Sequence, residues 1–260
     1  RDRYRPFTSR KLLCTFPESQ SDNYYTSPMD KIGPVLVRTK DGSSTLHSSE
    51  YNAHYHSIHG AYTESMHIFI NHGLRDYLAG KKKPINTPIK IMEMGLGSGL
   101  NALLTAESIN QQAVDYLGLE AHPITQKATY LSIIHSLPHA LDNNLIESFW
   151  DAPWNAPTKI TPVFTLEKRL GKIEDLELTP LSIDIIYYDA FAPESQPHLW
   201  QKEVMNSVIN WLKPGGYLLT YCAKGSFRRT CKSLGCRLES LPGPPGKREI
   251  SRFVKENNES

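Results

Sequence analysis

The sequence predicts an α/β fold: a doubly wound, mostly parallel sheet covered by helices, with an antiparallel pair at one edge. Three observations carry this. Ile89–Met94 is mostly apolar and runs into a glycine turn, Gly95-Leu-Gly-Ser-Gly99, after which apolar residues take helical spacing at Leu100, Leu103, Leu104, Ala106 and Ile109. Residues 181–188 are almost continuously apolar, as a central parallel strand buried on both faces requires. Residues 237–241 and 249–254 flank a turn-rich segment, Pro242-Gly-Pro-Pro-Gly-Lys-Arg248, and read as the antiparallel pair.

A chain of 260 residues, 39% hydrophobic and 22% charged, is long enough for one sizeable core plus an extension. No apolar run is long enough to cross a bilayer, and Arg1-Asp-Arg-Tyr-Arg5 leads into no signal core, so a cytoplasmic location and no membrane partner are expected. Cys14, Cys222, Cys231 and Cys236 show no metal or disulfide spacing and read as free thiols. The formal charge of +2 hides an asymmetry: residues 1–40 hold eight Lys/Arg against four Asp/Glu, and residues 213–260 hold ten against four. Basic ends on a near-neutral chain fit a polyanionic partner, because each cation placed on a phosphate releases counterions.

In chain order, residues 1–34 mix turn formers and aromatics without a helical period and read as an irregular arm. Residues 35–47 form a hairpin about Asp41-Gly42. From 50 to 78 the spacing is helical, and six histidines fall between His47 and His72. No cysteine lies near and no H-E-x-x-H occurs, so metal is not expected; Tyr55, His56 and residues 60–64 are candidates to cover the glycine turn. Gly80 to Pro84 works as a linker, which divides the chain into 1–80 (arm, hairpin, covering helix) and 81–260 (core). Further strands are expected at 115–120, 162–166 and 217–221, and helices at 124–137, 198–212 and 227–234, the last capped by Ser226.

The chemistry follows from the strand ends. A glycine turn before a helix lets backbone pass close to a ligand and offers free N–H groups to it. Leu100 stands where a dinucleotide motif would place its third glycine, which favours an adenosyl ligand lacking a pyrophosphate. Glu120 ends the second strand, 21 positions past Gly99, where a carboxylate can accept ribose hydroxyls. Asp189 ends the fourth strand and is aimed at the same place as Gly97. Lys224, Arg228, Arg229, Lys247 and Arg248 lie on loops or helix starts after late strands, suited to RNA phosphates.

Glu93-Met-Gly-Leu-Gly-Ser-Gly-Leu-Asn101, Tyr188-Asp-Ala-Phe-Ala-Pro-Glu194, Leu212-Lys-Pro-Gly-Gly216 and Tyr221-Cys-Ala-Lys-Gly225 together resemble the class I methyltransferases that use S-adenosylmethionine. Asp41-Gly-Ser-Ser-Thr-Leu46, Tyr55-His-Ser-Ile-His-Gly-Ala61 with Glu64, and Leu241-Pro-Gly-Pro-Pro-Gly-Lys-Arg-Glu249 narrow the resemblance to the MnmD and MnmC methyltransferases of the tRNA wobble-uridine pathway, over residues 35–252. The resemblance implies a Rossmann-like sheet of about seven strands with an antiparallel last strand, S-adenosylmethionine as cofactor, tRNA as partner, and methylation of the amine of 5-aminomethyl-2-thiouridine. No oxidoreductase domain follows Ser260, so the enzyme installing the aminomethyl group is expected to be a separate protein acting upstream. It implies cofactor contacts from Glu93, Gly95, Gly97, Gly99, Asn101, Glu120, Asp175 and Asp189. Asp189 is expected to hold the amine and take its proton, with Phe191 and Tyr188 offering π-faces. One departure stands out: where the family carries Gly-Asp near the adenine, Gly171 is followed by Lys172, with Glu174 and Asp175 beyond. Either the neighbouring acids take over that contact or adenine binding is weaker. The same scaffold would also serve aminopropyl transfer or a catalytically idle RNA-binding module.

Overall fold

The computed structural model describes residues 35–49, 51–80, 84–85 and 87–257. Residues 1–34, the whole of the expected arm and Cys14 with it, lie outside the described residues.

Strands β1 (Val35–Arg38) and β2 (Ser44–Ser48) form the expected hairpin, and β3 (Ala53–His54) extends it to three strands. The turn residue Asp41 has a second task. Burial pushes its carboxyl up, but hydrogen bonds from Ser43, Thr63 and Thr39 outweigh that and hold it at about 2. Because Thr63 gives both its N–H (3.0 Å) and its hydroxyl (2.9 Å), the hairpin is tied to the first helix.

That helix starts at Ala61, later than the histidine-rich spacing predicts. The reason lies in the backbone donors: Tyr55 N–H goes to Leu46 O (2.8 Å) and His56 N–H to Thr45 Oγ1 (2.9 Å), so both are committed to β2. The helix runs as α1 (Ala61–Ser65), a π-helical stretch Met66–Arg75, and α2 (Asp76–Gly80). Gly73 lets it approach the sheet, since a Cβ there would sit 3.2 Å from the Tyr187 ring.

From β4 (Ile89–Met94) the chain alternates α3 (Leu100–Ser108), β5 (Val114–Glu120), α4 (Lys127–Ile134), α5 (Asn143–Asp151), β6 (Pro157–Thr161), β7 (Phe164–Leu170) and β8 (Ile183–Tyr188). It closes with α6 (Lys202–Trp211), β9 (Leu212–Thr220), α7 (Gly225–Ser233), β10 (Cys236–Pro242) and β11 (Glu249–Lys255). The main sheet has eight strands in the order β10-β11-β9-β8-β4-β5-β7-β6, parallel in its middle and antiparallel at both edges.

Period-2 alternation sorts the core. Ile91, Ile185 and Tyr187 face the cluster under the long helix, α3, α4 and α5, while Met92, Ile186 and Tyr188 face the cluster under α6 and α7. At the strand end away from the glycine turn, fully buried Asp184 accepts from Tyr77 Oη, Lys90 N and Lys213 Nζ, each at 2.9 Å.

Several expectations need correction. The eighth strand is β6, which pairs with β7; the expected strand at 162–166 is the start of that longer β7. Helix α5 falls between the helix expected at 124–137 and the strand expected at 162–166, where no element is expected. The expected helix 198–212 is a 3₁₀ turn, Pro197–Trp200, then α6, separated by an extended Gln201. Lys224, without a side-chain cap, is the N-cap of α7, so Ser226 lies inside the helix. Strand β9 already includes Lys213–Gly216, with its register against β8 shifting between Ile183 and Ile185. Cys222, Cys231 and Cys236 are free and buried, and burial raises each thiol, which keeps them unreactive.

Candidate active site

β4, β5 and β8 end side by side, so the segments leaving them are thrown together. Gly95 and Leu96 N–H both reach Leu119 O (3.1 and 3.0 Å), and Asp189 N–H reaches Met94 O (3.0 Å). The turn needs its glycines. Gly95 (φ 87°) sits so close to β8 that a Cβ would stand 2.7 Å from Asp189 O, and a Cβ on Gly99 (φ 75°) would meet the Phe149 ring at 2.0 Å.

Beneath the turn lies a chain of side chains. Asn101, in the first turn of α3, donates through Nδ2 to Glu93 Oε1 (2.8 Å) and to Asp189 Oδ2 (3.0 Å). Glu93 Oε2 accepts from Tyr116 Oη (2.7 Å). Burial pushes the Glu93 carboxyl well above the usual range, against the pull of the Tyr116 and Asn101 hydrogen bonds. Asp189 is thus held from behind by an amide whose own position is fixed by a buried acid. Its carboxyl is pushed up to about 7, first by burial and then by the charge of Glu64; Asn101 and Lys247 work the other way.

Glu120 accepts from Gly97 N–H (2.7 Å) and His122 N–H (2.8 Å), and two oxygens with about four lone pairs keep capacity for further donors. Glu120, Gly95, Gly97, Asp175, Asp189, Phe191, Tyr55 and His56 all line one cavity of about 580 Å³. Phe191 stacks on Tyr51 (5.1 Å between ring centres) and meets Tyr55 edge-on (5.2 Å), making an aromatic wall. Burial pushes the His56 imidazole down to about 4, so it is neutral at pH 7. Among the described residues no cluster of His, Cys, Asp or Glu could hold a metal, and the other histidines pack: His47 on His54, His67 on His72, His59 against Gly246.

The expected cofactor contacts fall into two groups. Glu93, Gly99 and Asn101 do not line the cavity but support its floor; the rest line it. The wall combines the Glu120 carboxylate with apolar Leu119, Ile173 and Leu199, the mixture of acceptor oxygens and flat apolar surface that an adenosyl group would need. Lys172 lines the same wall, but so do Glu174 and Asp175, so the departure still leaves carboxylates there. Sequence reasoning missed Tyr51, His122, Gln196 and His198 as lining residues. Tyr51 bonds His122 across 71 positions (3.0 Å), a pairing with no local signal.

The five cations expected to meet RNA are placed differently from one another. Lys224 pairs with Glu194. Arg228 is taken up inside the sheet edge by Ser251, Glu249 and Ile250 O (2.9, 2.9 and 3.1 Å). Lys247 is turned inward onto Glu64 and lies 4.3 Å over the Tyr221 ring. Arg229 and Arg248 are exposed, without an ion pair among the described residues.

Residues 159–256 match a family model described as S-adenosyl-L-methionine-dependent methyltransferase. The tRNA 5-methylaminomethyl-2-thiouridine biosynthesis bifunctional protein MnmC of Ralstonia nicotianae is 30% identical over 222 residues, 80% of this chain and 32% of that protein. Its namesake in Cupriavidus metallidurans is 26% identical over 88% of this chain and 35% of that protein. The chain therefore spans about a third of the length of these curated relatives. MNMC2 from Aquifex Aeolicus shares the fold, with a TM-score of 0.69 at 23% identity, over 88% of this chain and 74% of that one. By its sheet and its matched segment, the chain has a Rossmann-like fold, resembles S-adenosyl-L-methionine-dependent methyltransferases over residues 159–256, and is similar over most of its length to about a third of the MnmC proteins.

Proposed function

We propose that the chain methylates the primary amine of 5-aminomethyl-2-thiouridine at the wobble position of tRNA. The observation that supports this best is Asp189: a carboxylate at the rim of the cofactor cavity, fixed by Asn101 and beside an aromatic wall. The names of the MnmC relatives supply the nucleoside.

S-Adenosylmethionine, when bound, supplies an activated methyl. The protein's part is then alignment, exclusion of water and handling of one proton. Glu120, Gly95, Gly97 and Asp175 hold the cofactor. An alkyl amine has a pKa of roughly 10 and is not a nucleophile while protonated. Asp189 accepts a hydrogen bond from the amine, turns its lone pair inward and receives the proton; a carboxyl near 7 can do so and still be ionised in half the molecules at neutral pH. Phe191, backed by Tyr51 and Tyr55, offers a face for the uracil ring. The reaction needs an aminomethyl group already on the uracil, so an activity that installs it acts first, and a tRNA substrate places the work in the cytoplasm.

Asp189→Ala tests this. Transfer of radiolabelled methyl to tRNA carrying the aminomethyl group should fall by more than about 100-fold, with S-adenosylmethionine affinity within a few fold of the parent. Normal methylation by that variant would remove Asp189 from the chemistry.

A further inference from the structure

Lys247 does not behave as a surface cation. Its ammonium pairs with Glu64, a carboxylate only 9% exposed, and lies 4.3 Å over the face of Tyr221. A buried carboxylate and an aromatic face are the two features by which proteins recognise alkylammonium ions. The place is also next to the proposed base: Tyr221 Oη donates to Ala190 O (2.8 Å), one residue from Asp189.

We propose that Glu64 and the Tyr221 ring form the subsite for the substrate's ammonium group, and that Lys247, which fills it in this structure, is a stand-in that the substrate displaces. The inference rests on the reading of the substrate as a primary alkylamine. Both Glu64 and Lys247 act on the charge of Asp189, as neighbours in one electrostatic site must.

Displacement asks for little. The backbone of the loop carrying Lys247 is fixed independently by Gly243 N–H to Arg248 O (3.1 Å), Lys247 N–H to Pro244 O (2.9 Å) and the His67 ring to Pro242 O (2.8 Å). The lysine side chain is 26% exposed, so rotation about its own stem carries the ammonium to water while the loop stays in place. A lysine ammonium and a protonated aminomethyl group are the same cation on different stems, so one replaces the other without leaving Glu64 unpaired. That matters, because an unpaired buried carboxylate is strongly destabilising.

Chemical labelling tests the stand-in directly. Lysines are acetylated with acetic anhydride and read by mass spectrometry in the presence of S-adenosylhomocysteine, with tRNA carrying 5-aminomethyl-2-thiouridine or the same tRNA with unmodified uridine. Lys247 should be protected with the unmodified tRNA and become several-fold more labelled with the amine-bearing one. Glu64→Gln should raise KM for the amine-bearing tRNA about tenfold, with the S-adenosylmethionine affinity within twofold. Lys247→Met should lower that KM by removing the competitor. Equal labelling with both tRNAs, or an unchanged KM in Glu64→Gln, overturns the subsite. If Glu64→Gln also loses the cofactor, labelling of the parent protein decides. Absence of methyl transfer by the parent to the amine-bearing tRNA would instead sink the proposed substrate, a different outcome from transfer with Lys247 still protected.

Discussion

Asp189 illustrates at the scale of one residue how a reaction is set against stability. Its carboxyl sits at about 7 in the folded protein against 3.8 in a free chain, with burial the first cause. Between those values the folded state keeps a proton that the unfolded chain has released, so stability falls as pH rises through the window. Asp189→Asn removes this penalty while its amide oxygen can still accept from Asn101. The variant should melt about 3 °C higher than the parent at pH 8, a gain that shrinks at pH 4.5; a gain equal at both values would argue against the raised carboxyl. The parent's kcat/KM for methyl transfer should climb as pH passes through about 7, because only the ionised carboxylate takes the proton. A kcat/KM flat between pH 6 and 8 would remove Asp189 as the base.

At the scale of an element, α5 shows how a helix hides in a sequence. Pro153, Trp154 and Pro157 carry the signature of a connection, and they follow directly on a short amphipathic segment whose Ile146 and Phe149 are buried. The start signal was present: Asp142 accepts from Asn144 N–H (2.8 Å) and Leu145 N–H (3.1 Å). Asp142→Ala should cost about 1 kcal/mol of stability, read as a lower urea midpoint with unchanged slope. The far end had no local signal. It is closed by Lys168 of β7, whose ammonium donates to Phe149 O (2.9 Å) and Trp150 O (3.0 Å) at the negative end of the helix. Burial pushes that ammonium down to about 8.

At the scale of the molecule the question is which cations are free to meet a polyanion. Of the five read from the sequence, Lys224, Arg228 and, before any substrate displaces it, Lys247 pair with Glu194, Glu249 and Glu64, leaving Arg229 and Arg248 without an ion pair among the described residues. If tRNA is the partner, changing Arg229 and Arg248 together to Ala should reduce the slope of log affinity against log salt by about 1 to 2, measured by filter binding. An unaltered slope would place the RNA elsewhere. Arg228→Ala should instead lower the melting temperature, since that guanidinium bonds Ser251, Glu249 and Ile250 O inside the sheet edge. The sequence by itself determined the alternating frame, the glycine turn and the acids Glu120 and Asp189 at the strand ends, because strand period, glycine conformation and the strand-end rule are local properties. Only the tertiary structure decided that Asn101 couples Glu93 to Asp189, that Tyr51 meets His122 and that Lys247 turns in to Glu64. Those contacts join residues 8 to 183 positions apart, and no periodicity records which distant side chains the folded sheet will bring within reach.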